Sequence, residues 1–262
     1  MDKQYAFNDL INIMDMLRSD NGCPWDKEQT IDSLKKYLLE ESYEVLDAIE
    51  EGDKYKHYEE LGDLLLQIVF QSKIAKDEGL FTIDDVVNSI CKKLINRHPH
   101  IFGGDKIFKA QDVEQKWESI KKEEKGQTSM TQIMKEIPKN MPSLLRSYKV
   151  QKKAKEVGFD WDEVDSAFDK VYEEIEEIKE VYKTDKTDRI SEEIGDLLFS
   201  VVNVSRMLGI EPETALNMTT KKFINRFEYV ENTAKEQGKK LEDMSLKEMD
   251  MLWEQSKVST KL

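Results

Sequence analysis

Apolar side chains recur at helical spacing along most of this chain and no stretch alternates with a period of two, so the pattern predicts an all-α fold. At about 100° per residue, Leu38, Ser42, Val45, Leu46 and Ile49 share one stripe. Glu41 and Glu44 flank that stripe, which makes Glu41 half-buried by pattern, while Glu40 and Asp47 turn outward. After a break at Gly52, Leu61, Leu64, Leu65, Ile68 and Val69 form a second stripe, edged by Glu60 and Asp63 one turn apart. Helices are predicted over 5–18, 28–51, 53–78, a Thr82-capped stretch to 96, and 111–124. Gly22-Cys23-Pro24-Trp25-Asp26 reads as an ordered turn.

The second half restates the first. Glu41, Glu44, Glu60 and Asp63 return as Glu174, Glu177, Glu193 and Asp196, each 133 positions on. Leu61-Gly62-Asp63-Leu64-Leu65 answers to Ile194-Gly195-Asp196-Leu197-Leu198, and Glu174 and Glu177 again flank an apolar stripe of Val171, Ile175 and Ile178. Gly158, Trp161 and Asp162 mirror Gly22, Trp25 and Asp26. Lys222 and Arg226 mirror Lys93 and Arg97, and Trp253 and Lys257 mirror Trp117 and Lys121. Helices are predicted over 163–182, 188–207 and 211–235. The repeat divides the chain into tandem helical domains at 1–125 and 143–262, with 126–142, polar and carrying Pro138 and Pro142, as the linker.

One E-x-x-E is ordinarily a solvated helix face. Four acids that converge beside an apolar seam, twice, call for a cation, because crowded carboxylates away from water either take protons or find positive charge. Oxygen ligands without Cys or His suit Mg²⁺, with Mn²⁺ as substitute. Lys222 and Arg226 lie four apart on one helical face and can meet a phosphate chain together, and Trp253 can stack on a base or contact the ribose. Lys170 stands one turn before Glu174, whereas the first half has Tyr37 there, so the second site is the better furnished.

Bulk properties narrow the partners. The 262 residues carry 54 acidic against 40 basic side chains, a net charge of −14, which argues against duplex nucleic acid or an anionic membrane surface. Two cysteines, Cys23 and Cys91, form no disulfide framework and fit a reducing cytoplasm. No signal peptide or membrane span is expected. His98-Pro99-His100 reads as a turn, not a metal pair, since His57 is the one other histidine in the chain. Neither acidic motif contains the histidine of a di-iron site.

Gly-Cys-Pro-Trp-Asp-Lys-Glu-Gln-Thr at 22–30, Leu-Glu-Glu-Ser-Tyr-Glu-Val at 39–45, Glu-Leu-Gly-Asp-Leu-Leu at 60–65 and Arg-His-Pro-His at 97–100 resemble the MazG family of nucleoside triphosphate pyrophosphohydrolases. The resemblance implies a dimeric α-helical enzyme that uses Mg²⁺ to split nucleoside triphosphates into monophosphate and pyrophosphate. Carried over, it makes Glu174, Glu177, Glu193 and Asp196 metal ligands, and places Lys170, Arg189, Lys222, Arg226, Trp253 and Lys257 where the family holds its nucleotide. Glu41, Glu44, Glu60 and Asp63 match the ligands in the first half, with Lys93, Arg97, Trp117 and Lys121 as the corresponding contacts. Tyr37 departs from the pattern, so turnover is expected of the second site and metal binding of both.

Glu174 or Glu177 is expected to activate water, with Lys222, Arg226 and Lys257 countering the charge that develops on the phosphates. A non-catalytic helical regulator that binds nucleotide or metal would carry similar repeats and stands as the alternative. The apolar stripes are too wide for one half to bury, which predicts a homodimer completing four-helix bundles.

Overall fold

The computed structural model describes residues 4–104, 110–124, 126, 129–184 and 186–259. Among them every regular element is helical, and the chain separates into two compact units, Met1–Lys125 and Gly126–Leu262.

In the first unit α1 (Phe7–Leu17) and the short α2 (Pro24–Glu28) lead into α3 (Lys35–Glu51) and α4 (Lys54–Asp77), which pair as an antiparallel hairpin. The turn is tight because Gly52 takes a left-handed φ of 69°, open to glycine without strain. Asp53 then caps α4 by accepting from the backbone N–H of Tyr55 at 2.9 Å and Lys56 at 3.1 Å. The helix predicted over 28–51 starts later than its pattern suggests. Gln29 is extended, and Thr30 and Ser33 satisfy each other's backbone N–H through their hydroxyls at 3.1 and 3.0 Å, an alternative to helical bonding. Thr82 caps α5 (Ile83–Arg97) reciprocally with Asp85, and α6 (Pro99–Phe102) and α7 (Ala110–Glu124) follow. The His98-Pro99-His100 turn is the start of α6. Met14, Leu34, Val69, Phe70 and Ile74 form the buried core of this unit, where α1 lies against α4.

The second unit opens with α8 (Met130–Lys135), capped by Ser129 and packed on α9 (Ser143–Lys155), so the stretch predicted to be a linker carries a helix of its own. The hairpin recurs as α10 (Val164–Val181) and α11 (Thr187–Met207), with α9 against α11. Next come α12 (Pro212–Glu236) and α13 (Leu246–Ser259), which enclose Val230, Ala234, Met244 and Leu252.

Both hairpins leave much of their apolar stripes uncovered. Leu39, Tyr43, Leu46 and Ile49 on α3 are about half exposed, as are Leu61 on α4 and Ile194, Leu198 and Val201 on α11. No helix among the described residues is long and apolar enough to cross a membrane.

Candidate metal and nucleotide site

Helical geometry does most of the assembly. Spacing of three places Glu174 and Glu177 on one face of α10, and the hairpin brings Glu193 of α11 against them, so that one carboxylate oxygen from each lies within 4.8 Å of the others. Glu41 and Glu44 of α3 meet Glu60 of α4 in the same way, again within 4.8 Å. The fourth predicted ligand stands outside each trio. Asp63 is near enough for its charge to bear on Glu41 and Glu60, and Asp196 borders the same cavity as Glu174 and Lys170.

The two trios differ in surroundings. Glu174 and Glu193 are buried, at 3% and 8% exposure, whereas Glu41 and Glu60 are half-buried and Glu44 is exposed. Lys170 Nζ reaches Glu174 Oε1 and Glu173 Oε1, each at 2.8 Å. Those hydrogen bonds, Glu173 first, push the lysine well above its ordinary range. Arg189 approaches Glu193 at 3.5 Å. Glu174 Oε2 is buried with no hydrogen-bond partner, a condition that carries a desolvation penalty unless a cation or water meets it.

Crowding shows in the acid–base behaviour. Glu177 is raised above the usual carboxylate range, chiefly by its hydrogen bond with Glu193, then by burial and by the charges of Glu174 and Glu193. Burial comes first in raising Glu41, followed by repulsion from Asp63 and Glu44; burial and a hydrogen bond with Glu44 raise Glu60. A hard divalent cation relieves all of this at once. The all-oxygen donor set and the orphaned Glu174 oxygen therefore fit Mg²⁺ or Mn²⁺.

The predicted cations and aromatics form a second group in each unit. Arg226 of α12 lies over the Trp253 ring of α13 at 5.8 Å, and Phe223 meets the same ring at 4.9 Å. Arg97 repeats the arrangement over Trp117 at 5.3 Å. Their charges are used differently. Arg97 is paired with Glu124 at 2.6 and 3.0 Å, while Arg226 has no carboxylate partner among the described residues and its Nε is buried without an acceptor. Lys257 is paired with Glu254, and Lys222 and Lys93 are exposed; Lys121 is half-buried. Among the described residues no hydrogen bond or ion pair joins Lys222, Arg226 or Lys257 to the carboxylates of α10 and α11.

Pattern reading missed the residues around the cavity beside Glu174. Asp160 accepts from Arg206 Nη1 at 3.1 Å, and Arg206 also donates to Asn203 Oδ1 at 3.1 and 2.7 Å. Gly158-Phe159-Asp160-Trp161-Asp162 marked this corner as ordered, but nothing local links Asp160 to an arginine 46 positions on.

Two helical hairpins, each presenting a carboxylate trio, define a tandem all-α protein with one repeated site. A model of the MazG nucleotide pyrophosphohydrolase domain matches residues 29–102 and again 162–231. The chain belongs to the MazG family. It is 43% identical over 96% of its length, and 95% of the other's, to the nucleoside triphosphate pyrophosphohydrolase/pyrophosphatase MazG of Thermotoga maritima. It is 42% identical over 95% of both chains to the nucleoside triphosphate pyrophosphohydrolase of Escherichia coli. It is also 48% identical to the uncharacterized protein YabN of Bacillus subtilis, matching 97% of this chain and 52% of that longer one.

Proposed function

We propose that the protein hydrolyses nucleoside triphosphates at the α–β phosphoanhydride, giving monophosphate and pyrophosphate, with the second unit as the working site. The observation that carries this reading is the trio Glu174, Glu177 and Glu193, the first and last of them buried, with an orphaned oxygen on Glu174. The activity for which the relatives from Thermotoga maritima and Escherichia coli are named supports it.

Glu174, Glu177 and Glu193, with Asp196 beside them, would hold Mg²⁺. When bound, the ion supplies charge neutralisation on the triphosphate and acidifies water. Water oxygen forms the new bond to phosphorus, the bridging P–O bond breaks, and pyrophosphate departs with the electron pair. Glu177, less buried than Glu174 and Glu193 and on the same helical face as Glu174, would be the carboxylate placed to take the proton of that water. Lys170 stands where a phosphate oxygen would compete with Glu174 for it. Arg226, without a carboxylate partner among the described residues, can meet the departing phosphates with the neighbouring Lys222 and Lys257, and Trp253 offers a face to the ribose. Arg97 is already neutralised by Glu124 and Tyr37 replaces the lysine, so the first trio is better suited to binding metal than to turnover.

The uncovered apolar stripes favour a homodimer that completes each bundle. Gly62 and Gly195 point the same way. Both sit inside helices, where glycine costs about 0.5–1 kcal/mol, and nothing in the chain lies within 4 Å of a Cβ added at either. A close-packed partner helix would account for both. The cytoplasm, with its reducing conditions, suits the free Cys23 and Cys91.

Anion-exchange analysis of ATP incubated with Mg²⁺ and protein tests the reading. Monophosphate with pyrophosphate is expected; diphosphate with phosphate, or no product, would overturn it.

A further inference from the structure

The second unit holds a cavity of about 560 Å³ beside Glu174, within the size range of ligand pockets. Lys170, Glu174 and Asp196 stand on its border, and Trp161, Phe199 and Ala167 contribute to its wall. Its cations are spent, Arg206, its side chain 5% exposed, on Asp160 and Asn203, and Lys170 on Glu173 and Glu174, so the lining keeps an excess of acid. An occupant beyond the carboxylates is therefore not an anion.

Two polar groups in this wall remain available. Gln151, 7% exposed, donates Nε2 to the Phe199 carbonyl at 2.8 Å, and its Oε1 is buried with no partner. Since a carbonyl can only accept, that bond fixes which end of the amide is which. Asn203 Oδ1 accepts twice from Arg206, which leaves its amide N–H groups as donors. One acceptor and one donor in an apolar, aromatic-walled slot match the edge shared by every nucleobase, an N–H beside a ring nitrogen or carbonyl.

The first unit shows the same space closed. At the offset of the acidic repeat, Ala167 corresponds to Leu34, Asn203 to Phe70 and Lys170 to Tyr37. Leu34 and Phe70 are 1% and 3% exposed, and Trp25 packs edge-on against Tyr37 at 6.0 Å and Phe70 at 6.5 Å. Side chains of the protein fill there what the second unit leaves open.

We infer that the cavity lined by Gln151, Asn203 and Ala167 takes the nucleobase of the triphosphate, with Gln151 Oε1 accepting from a base N–H, so that base reading belongs to the second unit alone. This rests on the nucleotide reading above and adds the residues that hold the base.

The test measures binding of α,β-methylene-ATP and of methylenediphosphonate, which has the same bridge without a base, by titration calorimetry of the full chain with Mg²⁺. Ala167→Leu installs the first unit's side chain and leaves the Asn203–Arg206–Asp160 contacts in place, while Gln151→Met removes the acceptor at similar size. Both should weaken the nucleotide roughly tenfold, the first by filling the space and the second by removing one hydrogen-bond acceptor, and leave methylenediphosphonate within about twofold, with unchanged circular dichroism. If Ala167→Leu does not fold, Gln151→Met decides alone. Unchanged nucleotide affinity in the folded variants, equal weakening of both ligands, or no nucleotide binding by the unsubstituted chain would overturn the inference. If the variants behave as expected but the unsubstituted chain releases no monophosphate and pyrophosphate from ATP, the hydrolytic reading fails while the base pocket stands.

Discussion

Replacing Glu193 by glutamine tests whether the second trio is a metal site or an acidic surface. The substitution keeps size and one carbonyl oxygen but removes a negative charge from a group whose oxygens lie within 4.8 Å of one another. At an effective dielectric near 20, one unit charge about 4 Å from another contributes roughly 4 kcal/mol, so a divalent ion loses at least that order of attraction. With about 1.4 kcal/mol per tenfold, and the remaining amide oxygen still able to coordinate, Mg²⁺ affinity should fall roughly 10²–10³-fold. At ~100 times Kd a ligand stabilises by about 2.7 kcal/mol, so the weakened variant should lose nearly all of its Mg²⁺-induced stabilisation. For a unit of this size that is roughly 5–10 °C in Tm, at about 2–4 °C per kcal/mol. Without metal the sign differs. Loss of one of three mutually repelling acids offsets loss of the exposed Arg189 pairing, itself worth no more than about 1 kcal/mol, so the metal-free melt should stay close to the unsubstituted one. Differential scanning calorimetry with and without Mg²⁺, beside product analysis, reads both quantities. Glu60→Gln is the internal control. It should shrink the first unit's metal response while sparing most of the turnover. A Glu193→Gln protein that kept its Mg²⁺ shift and its activity would refute the metal reading, and loss of turnover in Glu60→Gln alone would reverse the assignment of the working site.

Chelation by EDTA should abolish hydrolysis and Mn²⁺ should restore it, whereas Ca²⁺ should not, because its larger and looser shell displaces water and phosphate from each other; full turnover in excess EDTA would contradict this. Gly195→Leu should leave helicity intact, since open space surrounds that position within the chain, yet shift the mass found by light scattering from dimer to monomer; an unshifted dimer would place the interface elsewhere. Asp160→Asn should lower stability by about 1–3 kcal/mol, the cost of leaving the buried Arg206 without its charged acceptor, measured as a shift in denaturant midpoint. Burial alone would raise the Asp160 carboxyl, but the Arg206 hydrogen bond and charge outweigh it and hold it below the ordinary carboxylate value. The stability it contributes is therefore full above its unfolded pKa of about 3.9 and disappears as pH falls below that value toward the lowered folded one. The amide introduced by Asp160→Asn does not titrate, so the gap between the two proteins should close in acid; a constant gap would contradict the ion-pair account.

What the sequence determined by itself was local or repeated. The 3.6-residue period sets which side chains share a helical face, so Glu174 with Glu177, and Glu41 with Glu44, were legible as pairs without coordinates. The fixed offset of 133 extended this to Glu193 and Glu60, because a hairpin that recurs with the same spacing must bring the same positions together. Even the glycine at 52 carried its turn, through the left-handed backbone it permits. Tertiary structure decided the relations that depend on which helix lies against which. Arg97 and Arg226 look equivalent in sequence, yet Glu124 neutralises one and nothing described neutralises the other. The cavity beside Glu174 exists because α9, α10 and α11 each contribute one permissive residue, Gln151, Ala167 and Asn203, and a void is a property of their joint packing that no single helical period encodes. The apolar stripes announced that a face must be covered. Packing within each unit shows how little of that face the chain covers itself, since a short helical hairpin has one surface for its own core and another left over.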